Sequence, residues 1–573
     1  MIRIGVDFGT TYTSGFSWQN ERYESIFAAQ SGQSPLQPSI ALVCKDKNNN
    51  DTVQFGFKAR ETLNNPHFAS RISRVFRGFK MLLGKLADDS MIVARGYDVE
   101  GAYSPDRVAR DFLEHWVRMA YDRCGEEPIE KMVVGIPQIW FDNEYSISAR
   151  ASLSRILDDV KSKICNEYSA DAIGEIVFES EPALACAYYA DNYRRTTGDS
   201  LNGHMLLIDY GGGTLDINLC KVTHDGSSCE ISVIARTGKG INDPEHGLLG
   251  KAGMAFIQDV IRRAKQDQEV PEFERHLLEQ SLESRLMDTE NMSKLRSEFK
   301  MAVSDEDCAD LDASDFDELS DGTIITYGML REAYDAVIRP TLNEALQDID
   351  TQMENKGINI RELQIDNHVK IVLAGGFCNF CLTKQQVYDH YQIASKDPRT
   401  QGIVTSGSGL EYAIAYGAAL VAADVIKIKR TYPYTLGLVD IHGNMLQVFE
   451  FGDDMEYDKP QYAKRVGIDR PVVFLGSSIP ELYFDSNGSK KYTRSVPKND
   501  YWGDFKLKID NLYLIGFSLD SNLNIKMWLA RVEEMQAPHP HYAMIGEPEM
   551  KQLPTLDELF GGIRAVGYLE EEE

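Results

Sequence analysis

Across 573 residues, 88 acidic side chains outweigh 60 basic ones, leaving a formal charge of −28. That surplus repels polyanions, and no Lys/Arg-rich block offsets it, so nucleic acid is excluded as a general partner. With 43% apolar and 26% charged residues, and no apolar run of the ~18–20 residues a membrane span requires, the chain reads as a globular protein with more than one core and no membrane partner. The opening MIRIGVDFG enters a strand pattern without the features of a secretory signal, and nine scattered cysteines suit reduced thiols better than a disulfide framework. A cytoplasmic location is expected.

From Met1 to about Lys429, short β-rich runs alternate with longer helical periods, the pattern of an α/β protein. The first strand runs directly into GVDFGTTYTSG, Gly5–Gly15. Helices are predicted over Pro105–Cys124 and Asp142–Tyr168, with a strand at Lys131–Ile136 between them. Strands Met205–Asp209 and Cys229–Ala235 follow, then helices Leu249–Asp267 and Tyr327–Glu354, the strand Val369–Leu373 and the helix Gly409–Ala423. The segment Ser304–Gly322 carries nine acidic residues and no basic one. It lacks the glycine of a calcium loop's sixth position and reads as a solvated surface excursion. Beyond VIKIKRTYPYT the texture shifts to period-two segments such as FKLKI and IKMWLA, with turn signals at His442, Ser486 and Asp520. The expected domains are therefore an α/β domain over 1–428, an all-β domain over 432–531 and an acidic, proline-containing, loosely packed tail over 532–573.

The opening turn has a counterpart in LLIDYGGGTLDINL, Leu206–Leu219. Asp7-Phe8-Gly9-Thr10-Thr11 and Asp209-Tyr210-Gly211-Gly212-Gly213 share the order apolar strand, Asp, aromatic, Gly and two small residues. Glycines let a hairpin turn bring backbone N–H groups against phosphate oxygens, and threonine hydroxyls add donors. An aspartate at each strand end can hold a magnesium ion through water, since that ion keeps several waters. Two such turns facing each other would grip a polyphosphate and its metal between two lobes.

With these words in place, the chain resembles the actin-like ATPase superfamily, and within it the heat-shock protein 70 chaperone family. IGVDFGTTYT and LLIDYGGGTLDI look like that family's two phosphate motifs, VVGIPQIW its V-x-x-P strand, and ESEPALACAYYA its N-E-P-x-A-A-A helix. IVLAGGF looks like the adenosine motif and EYAIAYGAAL like the helix after it. The resemblance covers roughly Met1–Ala423 and implies a two-lobed, duplicated ribonuclease H-like domain that binds ATP or ADP with Mg2+. By position it implies phosphate contacts from Gly9, Thr10, Thr11, Tyr12, Gly211, Gly212, Gly213 and Thr214. It places Asp7 and Asp209 around hydrated magnesium, and Glu181 beside the attacking water as orienter or base. Gly375 and Gly376 would approach the ribose and α-phosphate, with Glu411 near the phosphate site.

Three departures bear on the chemistry. The resemblance places a catalytic lysine four positions after a glycine, where Gly56 leads to Arg60, with Lys58 two residues earlier. Arg60 or Lys58 is therefore expected to neutralise charge on the phosphate. The downstream word FRGFKMLLGK resembles F-D-A-K-R-L-I-G-R. Lys300 and Ser304 keep the adenine-binding K-x-x-x-S spacing, whereas Phe377 and Asn379 replace the serine and arginine that follow Gly-Gly. Cys378 and Cys381 form a lone C-x-x-C with no completing pair, and His246 is a lone loop histidine.

The β domain resembles the family's substrate-binding β-sandwich through TLGLVDIHGNML, VFLGSSIP and LYLIGFSLDSNLNIKMWLA. Strand-like capture of an extended apolar peptide is what that resemblance implies. The basic linker VIKIKRTYP and the short remainder after the sandwich imply a lidless member with altered co-chaperone docking. The expected function is an ATP-binding, ATP-hydrolysing chaperone-like protein with a protein or peptide client. The alternatives are a nucleotide sensor or scaffold with little turnover, and a small-molecule kinase of the same fold.

Overall fold

The computed structural model describes the chain apart from residues 1, 20–21, 28–34, 85, 143, 225–227, 241, 244–247, 269, 303, 320, 360–368, 394–403, 406–411, 433, 451–452, 478–479, 486–492, 497–506, 521–523, 536–540, 554–558 and 560–573. Glu411, His246, the Ser486 turn and the Glu570–Glu573 run lie outside the described residues. The architecture is mixed α/β, in two compact units. The first comprises Met1–Ile139 and Ser152–Ile428; the second comprises Trp140–Ala151 with the described part of 429–573. No described helix is long and apolar enough to cross a membrane.

In the first unit one arrangement occurs twice. Ile2–Phe8 pairs antiparallel with Tyr12–Gln19 across the first glycine turn and parallel with Ile129–Ile136, which is parallel in turn to Ile173–Ser180. Gly203–Tyr210 likewise pairs antiparallel with Leu215–His224 across the second turn and parallel with Val369–Ala374. The side chains of Ile2, Ile4, Val6 and Phe8, and of Leu206, Leu207, Ile208 and Tyr210, are buried, as expected for strands covered on both faces. Each hairpin therefore brings its aspartate to the end of a buried strand, Asp7 opposite Ser14 and Asp209 opposite Asp216.

The helix Ala413–Ala422 packs closely on the helix Glu181–Thr197 and on the first strand. A Cβ on Gly417 would lie 1.8 Å from the Leu184 carbonyl oxygen, so only glycine permits this approach. Phe8, Phe79 and Phe112 form an aromatic stack under the first turn, with ring centroids 5.2–6.3 Å apart.

In three segments the structure adds detail to the sequence reading. The acidic stretch is ordered: Asp305–Ala313 is a helix started by a capping box between Ser304 and Asp307, with Asp305, Glu306 and Asp307 in its first turn, where the helix dipole favours negative charge. Tyr327–Asn355 is two α-helices joined by a π-helical turn at Tyr334–Ile338 rather than one uniform helix. Within the expected tail, His541–Met544 and Glu549–Gln552 pair with the strand Ile525–Met535, so backbone pairing overrides the low apolar content.

The second unit holds a five-stranded sheet built around Thr435–Val439 and a six-stranded sheet built around Leu512–Leu519 and Ile525–Met535. Its first hairpin turns at Asp440, whose carboxylate accepts hydrogen bonds from the backbone N–H groups of His442 and Asn444.

Candidate active site

The two glycine turns face each other. A Cβ on Gly212 would stand 2.5 Å from Thr11 Oγ1, and one on Gly213 would stand 2.6 Å from Thr10 Oγ1. Ser39 holds the first turn: its hydroxyl donates to the Gly9 carbonyl at 2.8 Å and its N–H donates to the Thr11 carbonyl at 2.8 Å. The second turn is held by the start of the helix Gly253–Ala264. The N–H groups of Lys251, Gly253 and Met254 donate to the carbonyls of Gly213, Gly211 and Gly212 at 3.3, 3.2 and 2.7 Å. Carbonyls engaged in this way point into the protein, which leaves the turn a donor-rich face.

Between the turns lies a cleft of about 220 Å³ lined by Gly9–Tyr12, Gly211–Thr214, Asp7, Asp209, Glu181, Gly375 and Gly376. Gly375 needs its positive φ of 78°, and a Cβ there would meet Asp209 Oδ1 at 2.4 Å. At the centre Lys80 Nζ donates to Glu181 Oε1 at 2.6 Å, and both side chains are buried, at 3% and 8% exposure. Glu181 opens the helix Glu181–Thr197, and the preceding Ser180 hydroxyl donates to Gln138 Oε1 at 2.7 Å. Asn218 Nδ2 reaches both of those groups at 3.3 Å, fixing the helix start from the neighbouring strand.

Lys80 sits in the short 3-10 turn Phe79–Leu82, entered through Gly78 at φ 69°. Asn242 pins that turn by donating to the carbonyls of Met81 and Leu86 at 2.7 and 2.8 Å, and Lys80 Nζ lies 5.9 Å from the Phe8 ring centroid. The ammonium serves four carboxylates: besides Glu181, it counteracts the charges of Asp7, Asp209 and Asp216. Burial, then the Glu181 charge, pushes the carboxyls of all three aspartates well above their usual range. Asp216 Oδ1 also accepts from the Ile139 N–H at 3.3 Å.

Lys80 and Asp216 are thus brought together with the expected Asp7, Asp209 and Glu181, and the sequence reading did not single out either. Arg60 and Lys58 are placed apart from this group. The helix Gly56–Leu63 leaves Lys58 exposed and turns Arg60 toward Tyr12, where Nη1 donates to the hydroxyl at 3.1 Å, and neither lines the cleft. Lys80 occupies the lysine position of the word FRGFKMLLGK when it is matched to F-D-A-K-R-L-I-G-R, which is the signal that could have found it.

Lys300 and Ser304 are also placed apart: Lys300 is exposed, Ser304 is used as a helix cap, and neither lines the cleft. Cys378 and Cys381 are free thiols; burial drives both up, Cys381 to about 11, so neither is poised as a nucleophile.

The fold and its cleft define a class: a duplicated α/β protein in which two opposed glycine turns enclose a carboxylate cluster and its lysine. No protein-family model matches the chain. It is 22% identical to the chaperone protein DnaK of Psychrobacter cryohalolentis over 82% of this chain and 67% of that protein. It is 21% identical to heat shock cognate 70 kDa protein 3 of Dictyostelium discoideum over 77% of this chain and 63% of that one, and 21% identical to DnaK of Elusimicrobium minutum over 86% and 72%. The chain is thus similar to heat-shock protein 70 chaperones over most of its length, and it spans about two thirds of the length of these relatives.

Proposed function

We propose that the chain is a chaperone-like ATPase: residues 1–428 form an actin-like nucleotide-binding domain, and hydrolysis there controls capture of a peptide or protein client by a β-sandwich at 432–531. The observation that carries this reading is the buried Lys80–Glu181 pair set between two facing glycine turns. In this reading Gly9–Tyr12 and Gly211–Thr214 donate to the phosphates, and Glu181 Oε orients a water and accepts its proton once Lys80 turns toward the γ-phosphate. Lys80, rather than Arg60 or Lys58, then neutralises the developing charge.

The donor set fits a hydrated divalent cation. Asp7 and Asp209 stand at the ends of the two strands that enter the glycine turns, and among the described residues no three His, Cys, Asp or Glu side chains converge to hold a metal directly. Asp7 and Asp209 would therefore hold magnesium through water, and magnesium when bound offsets phosphate charge. The second reading, a nucleotide sensor with slow turnover, is favoured by one observation: Glu181 is engaged by Lys80.

Single-turnover hydrolysis with magnesium separates these. Wild type is expected to release phosphate, whereas Glu181→Ala and Lys80→Met bind ATP and release at least ~100-fold less per unit time. ATP binding with no phosphate release from wild type refutes the ATPase and leaves the sensor.

A further inference from the structure

Next to Gly375 and Gly376, part of the cleft lining is apolar. The apolar part comprises Ile257, Leu286, Met287, Met292, Phe377 and Phe380. The Phe377 ring is held by three others, with centroids 5.5 Å from Tyr210, 5.1 Å from Phe256 and 5.3 Å from Phe380, the last pair stacked. Met287 stands at the rim, its Sδ accepting from the Tyr12 hydroxyl at 3.7 Å. Of the polar side chains that line the cleft near this apolar part, Asn379 is exposed, Arg77 is ion-paired with Glu283, and Glu279 is ion-paired with Arg95.

The groups that sequence spacing offered for reading the base edge are elsewhere: Lys300 is exposed on the helix Thr289–Met301, and the Ser304 hydroxyl accepts from the Asp307 N–H. A carboxamide presents both a donor and an acceptor, so Asn379 can meet a 6-amino or a 6-oxo purine by turning over. Sites reject an analogue strongly, by ~10⁴–10⁵, only where the wrong ligand leaves a buried polar group unpaired; apolar pockets discriminate by at most about a hundredfold.

We propose that this apolar part of the cleft selects its nucleotide by aromatic stacking and shape, with Phe377 as the platform, so that guanine and hypoxanthine triphosphates are admitted alongside ATP. The proposal rests on the nucleotide reading above. Thioethers and an aromatic ring offer polarisable surface to any purine face, whereas the phosphate turns treat all triphosphates alike.

The test is equilibrium binding of ATP, GTP, ITP and inorganic tripolyphosphate, each with magnesium, to the full chain by calorimetry. Dissociation constants for the three nucleotides are expected to agree within about 30-fold. Phe377→Ala is expected to weaken ATP and GTP by a similar factor, about 5- to 100-fold, and to leave tripolyphosphate binding unchanged. Met287→Ala, at a side chain 54% exposed and therefore dispensable to the core, is expected to weaken both nucleotides equally by a smaller factor. ATP favoured over GTP by more than 30-fold overturns the inference and leaves the nucleotide reading intact, as does a loss from Phe377→Ala or Met287→Ala confined to ATP. Failure of every nucleotide and of tripolyphosphate to bind overturns both.

Discussion

Replacing Lys80 by methionine keeps the aliphatic stem and deletes the ammonium that serves four carboxylates. Its Nζ is 2.6 Å from Glu181, and the two side chains are 3% and 8% exposed. Removing one partner of a buried ion pair costs about 3–5 kcal/mol, because the other charge is left uncompensated. Lys80 also opposes the upward push on the carboxyls of Asp7, Asp209 and Asp216, so its loss reaches them too. The opposite replacement, Glu181→Gln, is predicted to be cheap, about 1 kcal/mol or less, for two reasons. Lys80 retains three carboxylates, and the Glu181 charge that raises each of them is gone.

The assay is urea-dependent hydrogen exchange followed in peptides covering Ile2–Phe8 and Gly203–Tyr210, with both single variants and the double variant. Equal losses from the two singles would refute the reasoning, because an isolated pair behaves symmetrically and a shared counter-ion does not.

Three further outcomes follow from the same structure. Lys58→Ala is expected to leave single-turnover hydrolysis within about threefold of wild type, since Lys58 is exposed outside the cleft; a loss matching that of Lys80→Met would restore Lys58 to the site. A Cβ on Gly376 meets nothing within 4 Å, so Gly376→Ala should leave thermal stability unchanged while weakening ATP binding, and calorimetry with a melting curve reads both. Acid should loosen the helix Glu272–Met287, where His276 and Glu279 are buried among Arg77, Arg95, Arg275 and Glu283.

Burial alone would raise the Glu279 carboxyl, yet Arg95, His276 and Arg77 hold it well below its ordinary 4.5, so its stabilisation is present above that value and lost as pH falls below it. Burial lowers His276 below its ordinary 6.5, so from there downward the unfolded chain takes a proton that the folded chain refuses, and stability falls in the same direction. Denaturation midpoints between pH 7 and 5 should therefore drop for wild type and flatten for His276→Gln. A wild-type midpoint that rises on acidification contradicts this.

What the sequence by itself determined are features decided within a few residues. The two aspartate-glycine turns follow from an apolar strand meeting small residues, and Glu181 follows from a helix that begins with Glu-Pro; all appear where expected. Strands at Lys131–Ile136, Met205–Asp209, Cys229–Ala235 and Val369–Leu373 are present and extend beyond their apolar cores, because pairing with neighbours carries them further.

The tertiary structure shows which cation meets Glu181. Its selection depends on a 3-10 turn anchored by Asn242 and on the stack of Phe8, Phe79 and Phe112, contacts between segments far apart in the chain. The same holds for Ser304. Its spacing to Lys300 is readable, yet a nearby helix N-terminus offers its hydroxyl a local partner, and that hydrogen bond prevails over the cleft. Asp216 joins the carboxylates because antiparallel pairing across the glycine turn sets it opposite Asp209.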